Sequence, residues 1–240
     1  PLFASVFIAL MYLTIGPFFA APRTATVAYE IAVAQYLPPE MRSMGLYVFA
    51  AVFFIITWWL AISPSKLVAR VGKFMTPVLL VFLFLLIISA IASPMGSWQA
   101  PAAAYDTGVK ALGQGIVDGY NTMDGLAALV FGIIVVESVK MYGAVSEAQI
   151  TKDTLRSGLI STFFMAVIYA ALCYIGASSV SLIGVQENGA PVLVKTALHY
   201  FGAAGGGILG VIVIFACLTT SVGLAASCAA YFNLLLPKIS

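Results

Sequence analysis

Charge is what this sequence has least of. Acidic and basic residues together make up 8% of the chain, against roughly a quarter in an ordinary soluble domain. That shortage excludes a soluble globule of this length, which needs a polar surface to stay dispersed. The net charge of +2 is too small to draw nucleic acid or an acidic partner. Histidine occurs once, at His199, so no imidazole cluster can hold a metal. The three cysteines, Cys173, Cys217 and Cys228, all sit in apolar stretches. An odd number at no metal-ligand spacing gives neither a disulfide framework nor a zinc site, and small packing residues are the plain reading. A His-Glu-x-x-His pair, a phosphate-cradling glycine loop and a nucleophile–base pair are missing too. The glycines at 205–207 precede an apolar run but lack the Lys-Ser/Thr that a phosphate loop requires. The expectation is a protein that is not an enzyme, with no catalytic residues and no cofactor.

What is present is apolar length. With 62% hydrophobic residues, several runs approach the roughly twenty residues that cross a hydrocarbon core as a helix. The pattern predicts an all-α, polytopic transmembrane helical bundle in one domain, residues 1–240, with six spans. They run over about 2–21, 46–62, 74–92, 120–136, 158–183 and 207–236. The second is at the short limit for spanning; the last is long enough to tilt or to leave the membrane. A stretch at 191–201, apolar at helical spacing, reads either as a re-entrant or packed surface helix or as an interfacial amphipathic one. Residues 142–156 are polar and helix-compatible, the pattern of a short cytoplasmic helix. No signal peptide precedes the first span, and the chain opens at Pro1 without an initiator Met. The expectation is an internal piece of a longer protein.

Orientation follows from Lys and Arg in alternate connections. Lys66, Arg70, Lys73, Lys140, Lys152, Arg156 and Lys238 fall on one side; Arg23, Arg42, Lys110 and Lys195 fall on the other. The richer side is predicted to be cytoplasmic, so the first span runs outward. Trp58, Trp59 and Trp98 lie near predicted span ends, where amphipathic rings anchor.

Four places carry polar chemistry. Asp124 is the one acidic residue predicted within the membrane, in the segment GYNTMDG at 119–125. Two glycines and three cap-type side chains start a continuous helix poorly. Either the helix is broken here, which hydrocarbon tolerates only where protein buries the backbone or a cavity is lined, or Asp124 caps an ordinary helix near the outer interface. Tyr120, Asn121, Thr122 and Asp124 are the candidate substrate contacts, with Tyr12 in the first span offering either a hydroxyl to substrate or simple packing. Thr219, Thr220 and Ser221 place three hydroxyls in the last span. They either offer oxygens to a desolvated hard cation or bond back to the preceding turn. In GPFFAAPRTATV at 16–27, Pro17 kinks the span and Pro22 marks an end or a new start. Arg23 and Glu30, seven residues apart, either share a helix face as part of an outer gate or snorkel to the interface.

Three blocks together resemble one family. GPFFAAPRTATV at 16–27, GYNTMD at 119–124 with LVFG at 129–132, and ACLTTSVGL at 216–224 are similar, in that order, to the bacterial branched-chain amino acid carriers, the LIVCS or BrnQ-type family. The resemblance covers essentially all of the chain. It implies cation-coupled symport of leucine, isoleucine and valine across the bacterial inner membrane, with Na⁺ the usual coupling ion. It also implies a LeuT-like inverted-repeat fold of twelve spans, in which the six read here are helices three to eight. Asp124 then falls in the broken helix six and Thr220 in helix eight, which carries hydroxyl ligands for Na⁺. Half-helix ends hold the substrate, and apolar walls from the first and fourth spans select aliphatic side chains. The first two helices and the C-terminal spans of that frame are absent from this stretch, so half of each site is expected elsewhere. The partners implied are the small-molecule substrate and the lipid bilayer, with no nucleic acid and no obligatory protein partner. A proton-coupled carrier of another small metabolite is the alternative. A passive channel favours rings of charge or filter carbonyls, which one intramembrane carboxylate does not supply.

Overall fold

The computed structural model describes residues 2–62, 66–186 and 188–235. The end of the last predicted span at residue 236, and Lys238 of the predicted inner side, lie outside the described residues. Within them the chain is helical throughout, joined by short turns, with no strand. Five stretches are long and apolar enough to cross a membrane: Val6–Tyr36, Pro39–Ile62, Gly108–Met141, Glu147–Ile183 and Gly189–Asn233. The third predicted span falls on a shorter apolar helix, Thr76–Ala92. Polytopic helical architecture is therefore what the composition dictated, because every backbone polar group must be satisfied within its own segment in lipid.

The first span is two helices. α1, Leu2–Leu13, runs into a π-helical turn over Thr14–Phe18, and α2, Ala20–Ala32, follows. Pro17 has no N–H to give, and Gly16 takes a non-helical ψ of −112°. Pro22 sits in the first turn of α2, where its missing N–H would have had no partner in any case. The predicted end near residue 21 is thus a restart, and the apolar stretch continues to Tyr36. α3, Pro39–Ile62, begins seven residues before its predicted start. It is tied to α2 by the Tyr29 hydroxyl, which donates to the Arg42 carbonyl at 2.6 Å. α4 is Lys66–Ala92.

The fourth predicted span is also two helices, α5, Gly108–Asn121, and α6, Asp124–Met141, so it begins well before residue 120. Thr107 caps α5, and the Tyr105 hydroxyl donates to Asp118, fastening the preceding loop onto it. That hydrogen bond holds the Tyr105 phenol above its ordinary range. α7, Glu147–Ile183, starts where Ser146 accepts from the Gln149 N–H at 3.2 Å. No breaker follows that cap, so the polar segment predicted as a separate cytoplasmic helix is the first part of α7 itself.

α8, Gly189–Leu235, bends at Gly202, where φ is 62° and ψ −158°. Only glycine enters that region without strain. The arm before the bend packs on protein: Val194 and Ala197 are buried with Leu86, Ala90 and Ile175. Tyr200 donates to the Ser93 carbonyl at 2.5 Å. Of the two readings of residues 191–201, the structure shows the packed helix.

α8 is the centre of the bundle. It meets α2 along small residues, as membrane helices do when backbones approach closely. A Cβ on Gly210 would lie 3.0 Å from the Ala32 Cα. Ala25 and Ala28 of α2 are buried with Phe53 and Leu218. A second cluster joins α1, α6 and α8 through Tyr12, Ile15, Val130 and Leu224.

Candidate functional site

The helix break between α5 and α6 is two residues long. Met123 adopts the left-handed conformation at φ 63°, which costs an ordinary side chain about 1 kcal/mol or more. The turn is closed by the Thr122 N–H on Gly119 O at 3.3 Å and the Met123 N–H on Tyr120 O at 3.0 Å. Thr122 Oγ1 lies 2.7 Å from Gly119 O and 2.8 Å from Asp124 Oδ2. Asp124 opens α6, where a carboxylate meets the positive end of the helix. Its Oδ2 also accepts from the Tyr169 hydroxyl of α7 at 2.6 Å. Fourteen residues of α5 precede the break and eighteen of α6 follow it. Asp124 therefore belongs to an interrupted helix, not to the cap of an ordinary one.

The other break faces it. A cavity of about 310 Å³ is lined from three directions, at the small end of the range for ligand sites. Ile15 and Phe19 come from the first break, and Ala20, Arg23, Thr24 and Val27 from one face of α2. Thr122, Met123, Ala127 and Phe131 come from the second break and α6; Ala216, Cys217, Thr220 and Leu224 come from α8. Each set recurs at three to four residues, the spacing of one helix face. The walls are mostly apolar. The polar exceptions are a guanidinium, three threonine hydroxyls and a thiol.

The cavity gathers Arg23, Thr122 and Thr220 from the residues singled out by sequence. Asp124 stands behind Thr122, hydrogen-bonded to it. Tyr120 and Asn121 are exposed and outside the lining. Tyr12 is buried, stacked on Tyr231 with centroids 4.3 Å apart, and its hydroxyl is 3.4 Å from Val130 O. Of the three consecutive hydroxyls, Thr220 reaches the cavity; neighbours on a helix point about 100° apart. Thr219 donates to the carbonyls of the preceding turn, Phe215 and Ala216, and Ser221 is buried. Glu30 is exposed on α2 and forms no ion pair with Arg23. Seven residues of helix separate the two by about 10 Å.

Sequence reasoning missed Tyr169, Thr24 and Cys217. Tyr169 left one signal, a hydroxyl in the middle of an apolar span that has to find a partner.

The long apolar helices make this a multi-pass membrane protein, and interrupted helices meeting at an apolar cavity with a few convergent polar groups are the arrangement in which membrane carriers build their sites. The chain belongs to the family described as branched-chain amino acid transport protein, which matches residues 1–240. It is 43% identical over 240 residues to the branched-chain amino acid permease BrnQ of Bacillus subtilis (strain 168), covering all of this chain and 54% of that protein. It is 40% identical over the same length to the branched-chain amino acid permease BraB of that organism, again across 54% of it. With the BrnQ permease of Lactobacillus delbrueckii subsp. lactis the identity is 39% over 233 residues, 97% of this chain and 52% of the other. The chain spans about half the length of these relatives. No solved structure matches it.

Proposed function

We propose that the carrier containing this chain takes up leucine, isoleucine and valine across the bacterial inner membrane by cation-coupled symport, with Na⁺ as the coupling ion. One observation carries the reading: the three blocks resembling the branched-chain carriers, far apart in sequence, line one cavity. Its aliphatic and aromatic walls suit a branched hydrocarbon side chain. The Thr24 and Thr220 hydroxyls donate to Ala21 O at 2.6 Å and Ala216 O at 2.9 Å, so each keeps its lone pairs free to accept. Such oxygens suit a desolvated Na⁺ or an ammonium group. Thr220 is the Na⁺ ligand of this reading, and Thr122, supported by Asp124, touches the substrate. The interruption between α5 and α6 falls at helix six of a LeuT-like frame with alternating access, in which these spans are helices three to eight and the other broken helix, the first, lies outside this stretch. The Asp124–Tyr169 hydrogen bond favours a second reading, coupling to protons, because an intramembrane carboxylate is a natural proton carrier.

Full-length protein in liposomes decides among these. Leucine is expected to accumulate under an inward Na⁺ gradient and to equilibrate without one. Accumulation driven by a proton gradient alone would replace Na⁺ by H⁺. Thr220→Ala should raise the Na⁺ concentration needed for half-maximal uptake, and an unchanged requirement removes Thr220 from the ion site.

A further inference from the structure

Arg23 is a cation at the edge of an apolar cavity. It lies inside the apolar stretch Val6–Tyr36, lines the cavity, is exposed, and among the described residues forms no ion pair. Its guanidinium is free to meet an anion that enters. The oxygens of the lining itself are neutral hydroxyls, and the carboxylate behind them, Asp124, is engaged by Thr122 and Tyr169. Thr24 and Thr220 have turned their protons to backbone carbonyls, and Thr122 has its own between Gly119 O and Asp124 Oδ2. Arg23 is thus the charged donor of the cavity among the described residues. Its planar fork matches a carboxylate through two parallel hydrogen bonds.

This inventory is asymmetric for an amino acid. Losing the ligand's carboxylate removes a charge-assisted, two-bond pair, whereas losing its ammonium removes contacts to neutral oxygens, a smaller loss. We infer that the cavity recognises its ligand chiefly through a carboxylate held by Arg23, so that branched-chain 2-oxo acids, which keep the carboxylate and the aliphatic tail but lack the ammonium, enter the same site. The inference rests on the proposed uptake of branched-chain amino acids. It replaces a gating role for Arg23 by a role in specificity.

The test is competition against radiolabelled leucine uptake by the full-length protein in liposomes. The competitors are 4-methyl-2-oxopentanoate and 3-methylbutylamine, one lacking the ammonium and the other the carboxylate. The oxo acid is expected to inhibit within about tenfold of leucine itself, and the amine roughly 100-fold more weakly. Arg23→Gln should raise the leucine KM roughly 10- to 100-fold with Vmax retained, and should abolish inhibition by the oxo acid. Arg23→Lys, which keeps the charge but not the fork, should fall between.

Equal inhibition by amine and oxo acid in the wild type overturns the inference without any variant. So does an Arg23→Gln protein with unchanged KM and competitor order, including one whose Vmax alone falls, which would return Arg23 to a gate. If wild-type protein takes up no leucine, the uptake reading fails by itself. Oxo-acid binding to the purified full-length protein, read as a thermal shift that Arg23→Gln removes, then still decides the role of Arg23.

Discussion

Tyr169 brings a hydroxyl into a helix that has no other use for one, and that hydroxyl ends on Asp124. A hydrogen bond to a charged group is worth about 1.5–3 kcal/mol. Tyr169→Phe is therefore expected to weaken apparent leucine affinity by roughly tenfold or more, with the amount of protein in the membrane unchanged. Tyr174 makes its ring contact with Trp98, so Tyr174→Phe keeps it and should behave as wild type. Uptake by the two variants at matched protein levels checks both, and equal behaviour would detach Tyr169 from the site. Gly16 makes the second residue-scale case. A Cβ there would lie 2.5 Å from Cys228 Sγ, whose thiol donates to Tyr12 O at 3.3 Å. Gly16→Ala should lower stability by about 1–3 kcal/mol through overpacking. Adding Cys228→Ala should recover much of it, because neighbouring changes are coupled. Melting curves of the four proteins in detergent measure the coupling; strict additivity would deny the contact. Arg23, Thr122, Asp124 and Thr220 were legible because polar residues are conspicuous in an apolar run. Tyr169 and Thr24 were not, since a lone Tyr or Thr within a membrane helix satisfies itself in many ways, and its partner is set by packing.

Among the elements, the second interrupted helix shows most plainly where pattern stops being informative. The GYNTMDG segment announced a break, yet α5 looked like loop. Its glycines at 108, 113, 115 and 119, with Lys110, Gln114 and Asp118, mask the apolar residues between them. Helix forms there because Thr107 caps it and the i,i+4 pair of Gln114 with Asp118, at 2.9 Å, supports it. The start of α7 was missed for the opposite reason, a polar first half that continues without interruption into the span. The two unusual backbone positions predict opposite effects. Met123 bears a left-handed φ without the glycine that would relax it, so Met123→Gly should leave stability unchanged or raise it by up to about 1 kcal/mol. Gly202 has nothing within 4 Å of an added Cβ, yet its φ and ψ suit glycine alone. Gly202→Ala should cost about 1–3 kcal/mol from the backbone itself. Thermal unfolding that ranked the two the other way would refute both assignments.

For the molecule as a whole, the charge count predicts a direction in the membrane. The turn between α6 and α7 is predicted to face the cytoplasm, and the connection between α4 and α5 the outside. In full-length protein with Cys173, Cys217 and Cys228 replaced, Val145→Cys should react with a membrane-impermeant maleimide in inside-out vesicles only. Ser97→Cys should react in right-side-out cells only. Reversed labelling would invert the topology. Sequence told the class and the blocks that resemble the family, left the break at 119–125 as one of two readings, and did not foresee the bend at Gly202. The pairing of those blocks around one cavity was beyond it, since helix periodicity says which face is apolar but not which neighbour covers it.

The small-residue seam between α2 and α8 bears on how such a cavity can work. Arg23 and Thr220 stand on two helices whose backbones nearly touch, while Thr122 stands in the break before α6 and Phe131 on α6, which is held by side chains: Val130 among Tyr12, Ile15 and Leu224, the Phe131 ring near Gly223, and the Asp124 carboxylate on Tyr169. A vice has one fixed jaw, and on the proposed reading the seam is that jaw, carrying Arg23 and Thr220 together. The carrier is then expected to release its ligand by sliding the opposite jaw, so that the cavity empties without its selective half being taken apart.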